Sequence, residues 1–122
     1  MFRTLRQSAA ILVTTVVTLG IVAFDATAQG RFLLHFTDVV EANDAVGWTH
    51  YVRAGYHRLE VEGDGDTDLD CWVFGRAGNL MGSDTDGTDY CIVTWYQSRG
   101  EQLEFRIANL GNVYNRYVFR LR

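Results

Sequence analysis

After residue 30 the chain keeps no helical apolar period. Its apolar residues recur at every second position in short runs, and clusters of Gly, Asn and Asp cut those runs apart. Alternation with period two puts successive side chains on opposite faces of a strand, so each run has one face to bury. "QLEFRIAN" sends Leu103, Phe105 and Ile107 one way and Glu104 and Arg106 the other. "RYVFRLR" does the same with Tyr117, Phe119 and Leu121 against Arg116, Arg120 and Arg122. "WTHYVRAG", "YHRLEVEG", "LDCWVFG" and "YCIVTWYQ" follow the rule, with a short strand at Leu80–Met81. "FLLHF" (Phe32–Phe36) is a weak first strand, and residues 38–47 read as loop. Seven to eight short strands at this spacing predict an all-β, antiparallel sandwich or barrel.

The first residues are excluded from that fold. Arg3 and Arg6 precede the uncharged, mostly apolar run Ala9–Phe24, and Ala26 and Ala28 then stand at the small positions of an A-x-A cleavage site. This order predicts a signal peptide over residues 1–28. The apolar run is shorter than the roughly 20 residues a spanning helix needs, so no membrane association is expected after cleavage. The mature chain is then exported, periplasmic or extracellular. It divides into an N-terminal extension with a weak strand, residues 29–47, and a sandwich, residues 48–122. With 9 arginines against 14 carboxylates its net charge is −5, and it has no lysine. Nucleic acid is not an expected partner, because phosphate contacts need a concentrated cationic face.

Export also bears on the cysteines. Cys71 and Cys91 are the only two. In an oxidising compartment they form a disulfide most simply, whose loop is worth roughly 3 kcal/mol by chain entropy. Zinc is the competing use, and it lacks a nearby histidine pair.

The acidic segments carry the chemistry. "DTDLDC" (Asp66–Cys71) recurs eighteen residues later as "DTDGTDYC" (Asp84–Cys91), each copy leading into a strand near its cysteine. If the short strand at Leu80 runs back between them, both loops lie at one end and the disulfide ties them. From Glu60 to Asp89 nine carboxylates face one arginine, Arg76. Like charges that close repel, and calcium would relieve the repulsion with carboxylate and carbonyl ligands. The expected ligands are Asp66, Asp68, Asp84, Asp86 and Asp89; Asp70, already inside a strand, stands apart from them. The loop is not an EF-hand, because the sixth position from Asp64 is Leu69 and the twelfth is Gly75. The alternative use of these aspartates is to bond loop amides two residues on and to shape turns.

No catalytic constellation emerges. Ser83 and Ser98 sit outside any G-x-S-x-G, and His35, His50 and His57 fall in separate strands. A non-enzymatic module that binds or scaffolds is the expected function. The alternative is a carbohydrate- or protein-recognition module using exposed Trp72, Trp95 or Tyr114. Its partner would be an extracellular or periplasmic protein or glycan.

The combination of "DTDLD", "GNL", "SDTDGTD" and "NLGNVYNRY" resembles the bacterial pre-peptidase C-terminal domain, from about Tyr51 to Arg122. The resemblance implies a jelly-roll-like β-sandwich, a non-catalytic role, and calcium binding or surface attachment as in some relatives.

Overall fold

The computed structural model describes residues 32–122, and the expected signal peptide, residues 1–28, lies outside them. Eight strands follow one another: β1 (Leu34–Val40), β2 (Ala45–Val52), β3 (Gly55–Glu62), β4 (Leu69–Phe74), β5 (Leu80–Asp84), β6 (Tyr90–Gln97), β7 (Glu101–Asn109) and β8 (Asn115–Leu121). Among the described residues no helix is long and apolar enough to cross a membrane. The first sheet has the order β1-β8-β3-β6 and the second β2-β7-β4-β5. Every paired neighbour is antiparallel. Two four-stranded sheets in this order make an eight-stranded jelly-roll sandwich.

The period-two pattern sets which side chains meet between the sheets. Leu103, Phe105 and Ile107 of β7 and Tyr117, Phe119 and Leu121 of β8 are all fully buried. Phe119 lies at the centre of the aromatic core, with its ring centroid 5.0 Å from Phe36, 4.9 Å from Trp48 and 5.4 Å from Phe105. Such ring pairs add to area burial.

The N-terminal segment is more ordered than its sequence indicates. β1 pairs with β8 from Leu34↔Leu121 to Val40↔Asn115, and β2 begins at Ala45. The loop expected over residues 38–47 shrinks to Glu41–Asp44. Asn43 takes φ 53°, a left-handed conformation that asparagine tolerates, and this closes the turn. Val40, Ala45 and Val46 are buried on either side of it.

Cys71 of β4 and Cys91 of β6 form a disulfide, Cα to Cα 6.2 Å, which links the second sheet to the first. Cysteines bonded to each other leave no thiolate for zinc.

Candidate functional site

Antiparallel order places the connections alternately at two ends of the sandwich. Loops 41–44, 63–68, 85–89 and 110–114 share one end, where backbone hydrogen bonds tie them together. Asn43 donates to Gly111, Leu110 to Asp68, Leu69 to Thr88 and Gly63 to Asp89. Loops 53–54, 75–79 and 98–100 share the other end with Arg122. The first end carries Glu41, Asp44, Asp64, Asp66, Asp68, Asp86 and Asp89 in its loops and no arginine. The loops of the second carry Arg53, Arg76 and Arg99 and no carboxylate.

At the acidic end the two aspartate loops meet as their repeated pattern implies, but most of their carboxylates serve the loops themselves. Asp64 accepts from the amides of Asp66 (3.3 Å) and Arg116 (3.0 Å). Asp84 accepts from the Ile92 amide at 2.9 Å, and Asp89 from the Gly65 amide. Asp86 accepts from the Thr88 amide (3.0 Å) and hydroxyl (2.8 Å), and these bonds hold its pKa below the ordinary carboxylate value. Among the described residues no group of three or more His, Cys, Asp or Glu side chains converges as a metal cage. The five expected ligands, Asp66, Asp68, Asp84, Asp86 and Asp89, share an end but do not form such a group.

Among the described residues, two buried carboxylate oxygens at this end have no hydrogen-bond partner. Asp68 Oδ1 and Asp70 Oδ1 are both buried without a hydrogen bond. Asp70 is only 8% exposed. Burial, followed by the charges of Asp68, Asp84 and Asp86, raises its pKa above the ordinary value of 3.8. A carboxyl with a raised folded-state pKa stabilises the fold below its unfolded pKa. That contribution is lost as pH rises through the folded value. Asp70→Asn is therefore expected to melt higher than the parent at pH 7, with the difference shrinking toward pH 3. Equal midpoints across that range would show that Asp70 is not under electrostatic strain.

The other end holds an aromatic surface. Register places Tyr56 of β3 directly opposite Tyr96 of the edge strand β6. Both rings stand on the outer face of the first sheet, 84% and 57% exposed, with centroids 4.8 Å apart and planes inclined at 53°. They border an open cleft of about 590 Å³, with Arg58, Thr94 and Arg122 on its walls. Arg58 Nε (2.6 Å) and Arg122 Nη2 (3.0 Å) both reach one oxygen of Glu60. Burial alone would raise the Glu60 pKa, but the two guanidiniums outweigh it and hold the pKa below the ordinary value. One carboxylate between two arginines leaves the cleft wall cationic.

This geometry changes which aromatics are available. Trp95 is 7% exposed, because position 95 shares the inward phase of Cys91 and Val93. Its Nε1 donates to Gln97 at 2.8 Å. Trp72 is half-buried on the second sheet, and Tyr114 is exposed in a loop at the acidic end. Tyr56 and Tyr96 escaped the sequence reading. The signal was the outward phase of each, but their meeting depends on strand register.

No protein-family model matches the sequence, and no curated protein matches it. Solved structures do share its architecture. The pre-peptidase C-terminal domain of collagenase from Bacillus anthracis superposes with a TM-score of 0.57 at 6% identity, over 72% of this chain and 87% of that one. The chain shares the β-sandwich fold of that domain. The likeness extends to PliG of Aeromonas hydrophila, a periplasmic inhibitor of g-type lysozyme, with a TM-score of 0.53 at 12% identity over 77% of this chain and 88% of that one. PirA gives a TM-score of 0.54 at 12% identity, over 79% and 98%. At these identities the pre-peptidase C-terminal likeness is one of architecture, and function has to be argued from the surface.

Proposed function

We propose that this chain is an exported, non-catalytic binding module that recognises a protein through Tyr56 and Tyr96. The observation that carries the reading is the pair itself. Two large aromatic rings stand exposed side by side on a sheet face, next to a cleft walled by arginines. Adjacent exposed aromatics mark interaction surfaces, and Tyr and Arg are enriched where binding energy concentrates. A glycan is less well suited, because rings inclined at 53° offer a sugar no continuous flat platform. Export rests on the Arg3/Arg6, Ala9–Phe24 and Ala26-x-Ala28 pattern. Sharing an architecture with a collagenase's pre-peptidase C-terminal domain and a lysozyme inhibitor supports a role in binding over one in catalysis.

Site-specific photo-cross-linking in intact cells tests this. A photoreactive phenylalanine analogue at position 96 is expected to capture a protein, whereas the same analogue at position 114, at the opposite end, is not. No protein adduct from position 96, or equal capture from both positions, would overturn the reading.

We also propose that calcium binds at the acidic end, through Asp68 and Asp70 in place of the fuller set expected from sequence. Their buried, unpartnered oxygens are the support. A bound cation would supply the missing counter-charge and stabilise by linkage, about 2.7 kcal/mol at a hundredfold excess over Kd. Millimolar calcium is expected to raise the melting temperature of the parent and leave Asp70→Asn unchanged. Equal melting of the parent in calcium and in chelator would remove calcium from the account.

A further inference from the structure

The cationic end belongs to a protein that is otherwise acidic. The chain has no lysine, and carboxylates outnumber arginines. Yet three loops at this end contribute Arg53, Arg76 and Arg99 and β8 is followed by Arg122, against the carboxylate of Glu101, which opens β7 there and accepts from the Arg76 amide at 3.0 Å. Arg53 lies three positions before Tyr56, and Arg99 three positions after Tyr96. Because Tyr56 and Tyr96 pair across β3 and β6, the loops that carry both arginines adjoin the strand ends that hold the tyrosines, while the cleft itself is lined by Arg58 and Arg122. Within the cleft Arg58 and Arg122 share the single carboxylate of Glu60, so their positive charge is only half offset.

A field of this kind selects its partner. The acidic loops at the far end repel an anionic chain, and the arginines attract it, so approach is oriented before contact. A segment that is both acidic and partly apolar would satisfy both components of the surface. Its carboxylates would meet the guanidinium forks, which match carboxylate geometry, and an apolar side chain would cover the tyrosine rings. Nucleic acid fits less well, since phosphate recognition requires a longer cationic track than one end of a small sandwich provides.

We infer that the partner segment seated at Tyr56 and Tyr96 is an acidic stretch of protein, rich in Asp and Glu around an apolar residue, and that Arg53 and Arg99 steer it into the cleft. This inference rests on the protein-binding reading of the tyrosine face. It adds the chemistry of what is bound.

The test uses defined peptides and fluorescence anisotropy. One labelled dodecapeptide carries Glu and Asp around a central Leu-Phe pair, and a second replaces every acid by its amide. The acidic peptide is expected to bind at least about tenfold more tightly at low salt, and the difference should shrink at about 1 M salt, where the screening length falls to about 3 Å. The Arg53→Gln/Arg99→Gln double variant is expected to weaken the acidic peptide several-fold and leave its amide counterpart unchanged. Both arginines are exposed, so the fold is expected to survive. Equal binding of the two peptides, an unchanged affinity in the arginine variant, or no binding of the acidic peptide at millimolar concentration would overturn the inference. If the acidic preference is absent but Tyr56→Ala still abolishes cross-linking from position 96, the protein-binding reading stands and this inference falls. If Tyr56→Ala leaves cross-linking unchanged, both fall.

Discussion

Phe119→Ala is expected to cost about 3–5 kcal/mol, the usual range for removing a buried aromatic ring. Phe119 has no exposed surface and touches rings from both sheets: Phe36 beside it in the first, Trp48 and Phe105 across the core in the second. Truncation would leave a cavity where those rings converge, and neighbours in eight short strands cannot collapse to fill it without shifting register. Total stability for domains of this kind is about 5–15 kcal/mol, so the variant is expected to be marginal at growth temperature. Denaturant unfolding measures it. A loss below about 1 kcal/mol would show that the rings do not form a common core.

Replacing both cysteines, Cys71→Ala with Cys91→Ala, is expected to cost about 2–5 kcal/mol. The bond joins positions 20 apart in sequence and connects the two sheets through β4 and β6. Its removal frees the unfolded chain and also loosens the edge that carries the acidic loops. At roughly 4–8 °C per kcal/mol, the melting temperature should fall by at least about 8 °C. Reductant should lower the parent's stability by a similar amount and leave the double variant unaffected. A parent indifferent to reductant and equal in stability to the variant would show that the bond does not contribute.

These expectations draw on information of different range. The burial of Phe105, Phe119 and Leu121 was legible because alternation along one strand decides it. The phase also places Trp95 inward with Cys91 and Val93, although its size invites a surface role. The β1–β2 turn was obscured because Glu41, Asn43 and Asp44 crowd into four residues between valine-rich strand ends, which blurs both boundaries. The repeated aspartate pattern implied that the two acidic loops meet. Which oxygens remain unpartnered depends on where individual amides fall, so Asp70 could not be ranked above Asp89 from sequence. Tyr56 and Tyr96 lie forty positions apart, and only register brings them together. The sorting of charge between the two ends was hidden for the same reason, because it appears only once the connections sharing an end are known.

The measurement that bears most directly on the central claim is the affinity of the protein captured from position 96 for the Tyr56→Ala/Tyr96→Ala variant. Both side chains are exposed, so the variant is expected to melt like the parent. If the tyrosines carry the binding energy, affinity should fall by about thirtyfold or more, corresponding to a loss of at least about 2 kcal/mol. An affinity equal to the parent's, at an unchanged melting temperature, would contradict the account.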